Sequence, residues 1–151
     1  MILRDATAQD LPAIVALLAD DETARHREDA SEPLDPRYRA AFDAIHADPN
    51  QQLIVAEIDG RAVGTMQLSY LPGLSFRGAW RQQIEAVRIA ADLRGQRLGE
   101  EMIRWAVEQA RSRGCKLVQL TSTSTRVAAH RFYERLGFAK SHVGMKLHLR
   151  D

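Results

Sequence analysis

The stretch "QLIVAEIDGRAVGTMQLSY", residues 52–70, constrains this chain more than any other. Two runs of aliphatic and β-branched residues meet at Asp59-Gly60, a pair suited to the positive φ angles of a two-residue hairpin. An antiparallel pair of strands is therefore expected near the middle, and the remaining elements must be arranged around it. "ILRDA" reads as a first strand. Thr7 with Asp10 three residues on resembles a capping box, opening an amphipathic helix through Leu11, Ile14, Val15 and Leu18. The polar stretch "DDETARHREDASEP" is loop-like or weakly helical. Pro36 then starts a second helix, "PRYRAAFDAIHA", with Tyr38, Phe42 and Ile45 at helical spacing. Beyond the hairpin, the loop "LPGLSFRGAW" leads to "QQIEAVRIA", which alternates like a strand. From about Leu98 to Arg113 a helix buries Leu98, Met102, Ile103, Ala106, Val107 and Ala110 and stops at Gly114. "KLVQLTS" is a further strand, "VAAHRFYERLG" a helix ending at Gly137, and "SHVGMKLHL" a last strand. This order predicts a mixed α/β layer sandwich.

At 151 residues the chain is expected to form one domain, 1–151, able to bury a core without staples. No stretch approaches about 18 consecutive apolar residues, so no membrane partner is expected and the cytoplasm is the default location. Cys115, the single cysteine, fits a reducing compartment and reads as a small apolar residue entering a strand. The net charge of +1 conceals an imbalance: residues 1–50 sum to −6 and residues 51–151 to +7. That excess is too small for extended nucleic-acid binding, so no nucleic-acid partner is expected. It suits a small anionic ligand on one side and a cationic one on the other, or it is chance unevenness. The five histidines show no metal-ligand spacing, so no metal is expected. His130 is expected to pair with Glu134 on its helix.

"LRGQRLGEEMI", residues 93–103, spends two glycines and two arginines on the start of a helix. The first N–H groups of a helix have no internal partners and carry the positive end of its dipole. With glycines allowing close approach, such a turn can hold a phosphate; it can also be simply a tight strand-to-helix connection. There is no G-K-[ST] ending and no G-x-G-x-x-G, so nucleoside triphosphate and dinucleotide sites are disfavoured.

A second motif one strand later, "AHRFYERLGF" (residues 129–138), adds to the first. "IEAVRIAADLRGQRLG" and "AHRFYERLGF", in this order and spacing, resemble the GNAT superfamily of acetyl-CoA-dependent N-acetyltransferases, and the likeness covers nearly the whole chain. It implies a three-layer sandwich of α/β (α+β) type, with a mixed, mostly antiparallel sheet and helices on both faces. It implies acetyl-CoA as co-substrate. Backbone groups of Val87, Arg88 and Ile89 would face the pantetheine arm and acetyl group, and Arg94, Gly95, Gln96, Arg97, Leu98, Gly99 and Glu100 would wrap the pyrophosphate. The superfamily's inner glycine is replaced here by Arg97, which would donate its N–H normally only at an ordinary backbone angle. Thr123 stands where the superfamily often has a cofactor-facing asparagine. Tyr133 corresponds to the acid that protonates the departing thiolate.

An alkyl amine has a pKa near ~10.4 and arrives protonated, so a base must take its proton, directly or through water. Glu85, four residues before Ile89 and expected on the same strand face, is the candidate base or amine anchor; the alternative is a solvated strand glutamate. For Tyr133 the alternative is a core tyrosine. Phe76 and Trp80 could line the acceptor pocket, meet a second copy, or belong to the core. The expected reaction is direct transfer to a small-molecule amine in a ternary complex. A protein lysine or N-terminal acceptor, and a non-catalytic coenzyme A sensor, are the alternatives. The run "ADPNQQLIVAEIDGRAVGTMQL" and the second motif resemble the aminoalkylphosphonate and small-amine branch, and the superfamily resemblance allows a homodimer.

Overall fold

A computed structural model describes residues 1–24 and 26–150. Arg25, within the polar stretch, and Asp151, the last residue of the expected domain, lie outside the described residues. The chain divides into two compact units, 1–119 and 120–151.

The first unit is built on a mixed sheet in the order β1-β2-β3-β4-β5. Its strands are β1 (Ile2–Asp5), β2 (Gln51–Ile58), β3 (Arg61–Leu71), β4 (Arg81–Ile89) and β5 (Leu117–Leu120). The pairs β1/β2, β2/β3 and β3/β4 are antiparallel. Asp59 (φ 50°) and Gly60 (φ 78°) turn the expected hairpin. Helix α1 (Leu11–Ala19) follows a single 3-10 turn, and α2 (Pro36–Ala47) is capped by Asp35, whose carboxylate accepts from the Arg37 amide at 2.9 Å. Leu11 and Ile14 of α1 and Phe42 of α2 pack with Ala6 and Val55 into one buried cluster, so both helices cover the sheet face to which Val55 points.

The opposite face is covered by α4 (Leu98–Ser112), named after the short turn α3 (Ser75–Gly78) in the loop before β4. Met102, Ile103, Ala106 and Ala110 of α4 are buried, the four expected positions of its apolar stripe that lie deepest. Burying Met102 and Ile103 contributes about 1.5–3 kcal/mol each. Gln82, fully buried, donates from Nε2 to the Ala106 carbonyl at 2.8 Å and ties helix to strand. Gly64 lets the two surfaces meet: a Cβ there would lie 3.0 Å from Met102 Sδ and 3.2 Å from the Arg88 carbonyl. The result is helices on both faces of the sheet, the three layers expected.

The second unit holds α5 (Val127–Arg135) and the C-terminal tail. Gly137, at φ 99°, ends the helix as expected, and the Phe138 amide donates to the Tyr133 carbonyl at 3.1 Å. The last expected strand, "SHVGMKLHL", is not formed. Residues 139–150 take no strand pairing, and Val143, Met145, Leu147 and Leu149 are 86–91% exposed. The alternation is that of a strand, but a strand is made by its partner, and within this unit no neighbouring strand offers one.

Candidate active site

The site begins with a defect in β4. Between the pairs Gln67–Glu85 and Thr65–Arg88, β4 holds one residue more than β3, and Ala86 adopts φ 53°. This is a β-bulge, which interrupts the ladder and re-aims the backbone on either side. It also reverses the side-chain alternation. Arg88 registers with Thr65, and Glu85 with Gln67, on the face covered by α1 and α2, whereas Ile89 registers with Gly64 on the α4 face. Glu85 and Ile89 therefore lie on opposite faces, against the expectation, because the i, i+4 rule for a strand holds only while the pleat is unbroken.

Glu85 is exposed on a polar surface. Gln83 donates from Nε2 to its carboxylate, and Gln119 donates from Nε2 to Gln83 Oε1 at 3.0 Å. On the neighbouring strands, Ser69 Oγ donates to Gln51 Oε1 at 2.8 Å and Gln67 Nε2 to the same atom at 3.3 Å. One carboxylate thus lies in a row of neutral amides and a hydroxyl drawn from β2, β3, β4 and β5. Sequence reasoning missed Gln51, Gln67, Ser69, Gln83 and Gln119. For Gln67 and Ser69 the signal was present as alternation in "MQLSY"; in "RQQIE" the buried Gln82 breaks it, and Gln51 and Gln119 carried no such signal.

Past the bulge, Val87, Arg88 and Ile89 are half-buried. The Arg88 guanidinium donates to the Val87 carbonyl at 2.9 Å and meets Asp21, just beyond α1, at 3.3 Å. Arg94 donates from Nε to the Ile89 carbonyl at 3.2 Å and lies 3.5 Å from the Asp20 carboxylate. Two acids of the charge-rich early segment thus pair with arginines of β4 and the following loop.

That loop opens α4 without closing it. Gly95 is left-handed at φ 82°, and Arg97, the residue preceding the helix, is left-handed at φ 64°. The condition that Arg97 keep an ordinary angle is not met: a non-glycine residue occupies a conformation that costs it roughly 1–2 kcal/mol. Gly95, Gln96 and Arg97 are exposed, while Leu98, Gly99 and Glu100 are half-buried. No side chain caps this helix, and the Glu100 carboxylate turns instead to Arg104, one helical turn on, at 2.9 Å. The donors of the first turn and an exposed guanidinium are thus left for an anion from outside. The residues present fit a pyrophosphate.

In the second unit, Tyr133 is half-buried on α5, its ring edge-on to Phe132 (centroids 5.0 Å apart) and to Phe138 (5.8 Å). Thr123 is exposed ahead of the helix, and its carbonyl accepts from His130 Nε2 at 2.9 Å. His130 spends its ring on this connection to the loop rather than on the expected pair with Glu134. The Cys115 thiol, pushed up by burial, is poorly suited to act as a thiolate nucleophile. Phe76 and Trp80 are surface residues, 79% and 38% exposed, so their core reading falls. Among the described residues no three histidines, cysteines or carboxylates converge as metal ligands, and no helix is long and apolar enough to cross a membrane.

Comparison with known proteins adds to this geometry. Residues 12–138 match the Acetyltransferase (GNAT) family. An aminoalkylphosphonate N-acetyltransferase from Salmonella typhimurium is 31% identical over 140 residues, covering 93% of this chain and 86% of the relative. An L-methionine sulfoximine/L-methionine sulfone acetyltransferase from Pseudomonas paraeruginosa is 30% identical, over 90% of this chain and 78% of the relative. Among solved structures, a Bacillus halodurans C-125 protein described as a transcriptional regulator superposes with a TM-score of 0.96 at 44% identity, over 98% of this chain and 99% of that one.

Proposed function

This chain belongs to the acetyltransferase (GNAT) family and is an acetyl-CoA-dependent N-acetyltransferase, and from that premise we propose that it acetylates the primary amine of a small polar molecule by direct attack. The observation that carries the proposal is the exposed Glu85 carboxylate held by Gln83 within the row of amides and the Ser69 hydroxyl. A single anion among neutral donors and acceptors suits one ammonium group on a compact polar body. The relatives named for aminoalkylphosphonates and for methionine sulfoximine support the same class, a small amine carrying oxygen-rich groups.

In this reading the two units act as one catalytic domain, at home in the cytoplasm. The open start of α4, residues 94–100, takes the pyrophosphate, and Thr123 contributes to cofactor binding. Backbone groups at Val87, Arg88 and Ile89, beside the bulge, receive the pantetheine arm and the acetyl oxygen. Glu85 anchors the ammonium and takes its proton, directly or through water. The amine nitrogen bonds to the acetyl carbon, the carbon–sulfur bond breaks, and Tyr133 returns a proton to the thiolate. No protein nucleophile, metal or nucleic acid takes part.

The test is thiol release from acetyl-CoA across aminoalkylphosphonates, amino acids, polyamines and aminoglycosides. Tyr133→Phe should lower kcat by about 100-fold with acetyl-CoA affinity kept. Glu85→Gln should lower kcat/KM for the amine by about tenfold, an anchoring loss of about 1.4 kcal/mol. Release only with peptide acceptors would replace the small amine by a protein substrate. Tight acetyl-CoA binding with no release from any acceptor would make the chain a sensor.

A further inference from the structure

The bulge at Ala86 brings two opposite charges onto one face of β4. Glu85 registers with Gln67 and Arg88 with Thr65, both on the face covered by α1 and α2. In an unbroken pleat, positions 85 and 88 would point to opposite faces. Gln67 and Thr65 are two residues apart on β3, so Glu85 and Arg88 stand only about 7 Å apart along the sheet. Two other arginines share this face, and neither competes for the same place. Arg81 registers with Leu71, about 13 Å from Glu85 along the strand. Arg4, on β1, is held by both oxygens of Asp10 at 2.8 and 3.0 Å.

The Arg88 side chain is only 13% exposed, and a guanidinium so far from water needs an anion. Its anion does not come from the sheet. Asp21 lies just beyond α1, outside any helix or strand, and its Oδ2 meets Arg88 Nη2 at 3.3 Å. That is longer than the ~2.7–2.9 Å of a well-made charge-assisted hydrogen bond. Asp21 Oδ1 accepts from the Thr23 amide at 3.0 Å and from the Thr23 hydroxyl at 2.9 Å. The carboxylate therefore keeps partners of its own when the guanidinium turns to another anion. The Thr65 hydroxyl, beside Arg88 in register, is already spent on the Ile54 carbonyl at 2.9 Å.

We infer that Arg88 determines specificity for an anionic group on the acceptor, and that Asp21 is the internal anion which this group displaces. The inference rests on the small-amine reading of Glu85 and narrows it to short zwitterions. Their ammonium meets Glu85, and their carboxylate or phosphonate, a few carbons away, meets the guanidinium fork, whose planar donors match either group. A second anion is thus supplied by the substrate, where the uncomplexed protein uses its own.

The experiment compares matched acceptors: β-alanine with β-alaninamide, and 2-aminoethylphosphonate with its neutral diethyl ester. For the unaltered protein kcat/KM should favour the charged member of each pair by about 30-fold. In Arg88→Gln that ratio should fall to about threefold or less; it is taken within one variant, so a general loss of turnover cancels. Arg88→Lys, which keeps the charge without the fork, should fall between them. Asp21→Asn removes the competitor, so KM for the charged acceptors should drop about three- to tenfold while KM for the neutral ones moves less than twofold. Equal use of charged and neutral acceptors by the unaltered protein overturns the inference and leaves the small-amine reading standing. A preference that survives Arg88→Gln overturns it too, because another residue then reads the anion. So do equal shifts of both KM values in Asp21→Asn, which make the pair a structural one. Thiol release with no small amine fails the small-amine reading, and the inference with it.

Discussion

The chain begins two of its helices beside an arginine, in opposite ways. Ahead of α1, the Asp10 carboxylate accepts from the Thr7 amide at 2.7 Å and is gripped by both terminal nitrogens of Arg4, at 2.8 and 3.0 Å. The 3-10 turn that leads into α1 is thus closed: its donor has an internal anion, and the anion has its own counter-charge, although α1 proper, like α4, has no side-chain cap. Ahead of α4, the nearest acid, Glu100, turns away to Arg104, and the preceding residues Gly95 and Arg97 are both left-handed and exposed. An anion placed at such a turn is stabilising, as Asp10 is ahead of α1. Leaving the second open, with a strained arginine beside it, supports the proposal that the pyrophosphate binds there.

Closing the open start is the strongest way to break this contrast. In Gly99→Asp a carboxylate enters the first turn of α4, where it interacts favourably with the helix dipole by about 0.3–1 kcal/mol. The melting temperature should hold or rise, while the Kd for coenzyme A, measured by calorimetry, should rise at least about tenfold. Unchanged affinity would mean that the anion binds elsewhere. A smaller effect should follow Arg97→Gly. Glycine tolerates the left-handed angle, so stability should increase by about 1 kcal/mol. Loss of one exposed cation should weaken coenzyme A binding only about two- to fivefold. If stability rises with binding unchanged, the arginine serves no part in holding the phosphates.

The closed start was legible from spacing alone: Thr7 and Asp10 are three residues apart, and the interaction is local. The Asp59-Gly60 hairpin and the α4 stripe were legible for the same reason, since period and turn chemistry are properties of neighbouring residues. Two features were not. The bulge at Ala86 is set by how β4 meets β3, and "IEAVRI" contains no glycine or proline to announce it; counting in fours from Glu85 therefore chose the wrong face for Ile89. The tail carries the correct signature of a strand, but whether it becomes one depends on a partner the alternation cannot name. The row around Glu85 lies between these cases. Only β3 showed a clean polar alternation, and register alone brings Gln51, Ser69, Gln83 and Gln119 into one line.

The smallest effect on binding is expected at the closed start, where it separates a structural anion from a bound one. The Arg4 guanidinium holds the Asp10 carboxyl down to about 2, from an ordinary value of 3.8. A carboxyl whose folded pKa is depressed contributes stability that is fully present above its unfolded pKa and is lost as the pH falls through its folded one. The wild-type protein should therefore lose up to about 2 kcal/mol between pH 5 and pH 2 through this group. Asp10→Asn, which keeps an acceptor but no charge, should lack that part of the decline. Urea midpoints across this range would show the two proteins converging as the pH drops. At pH 7, where the wild type keeps its full advantage, the Kd for coenzyme A should differ less than twofold between them. A large change there would mean that the Arg4–Asp10 pair supports the cofactor site rather than only the turn it closes.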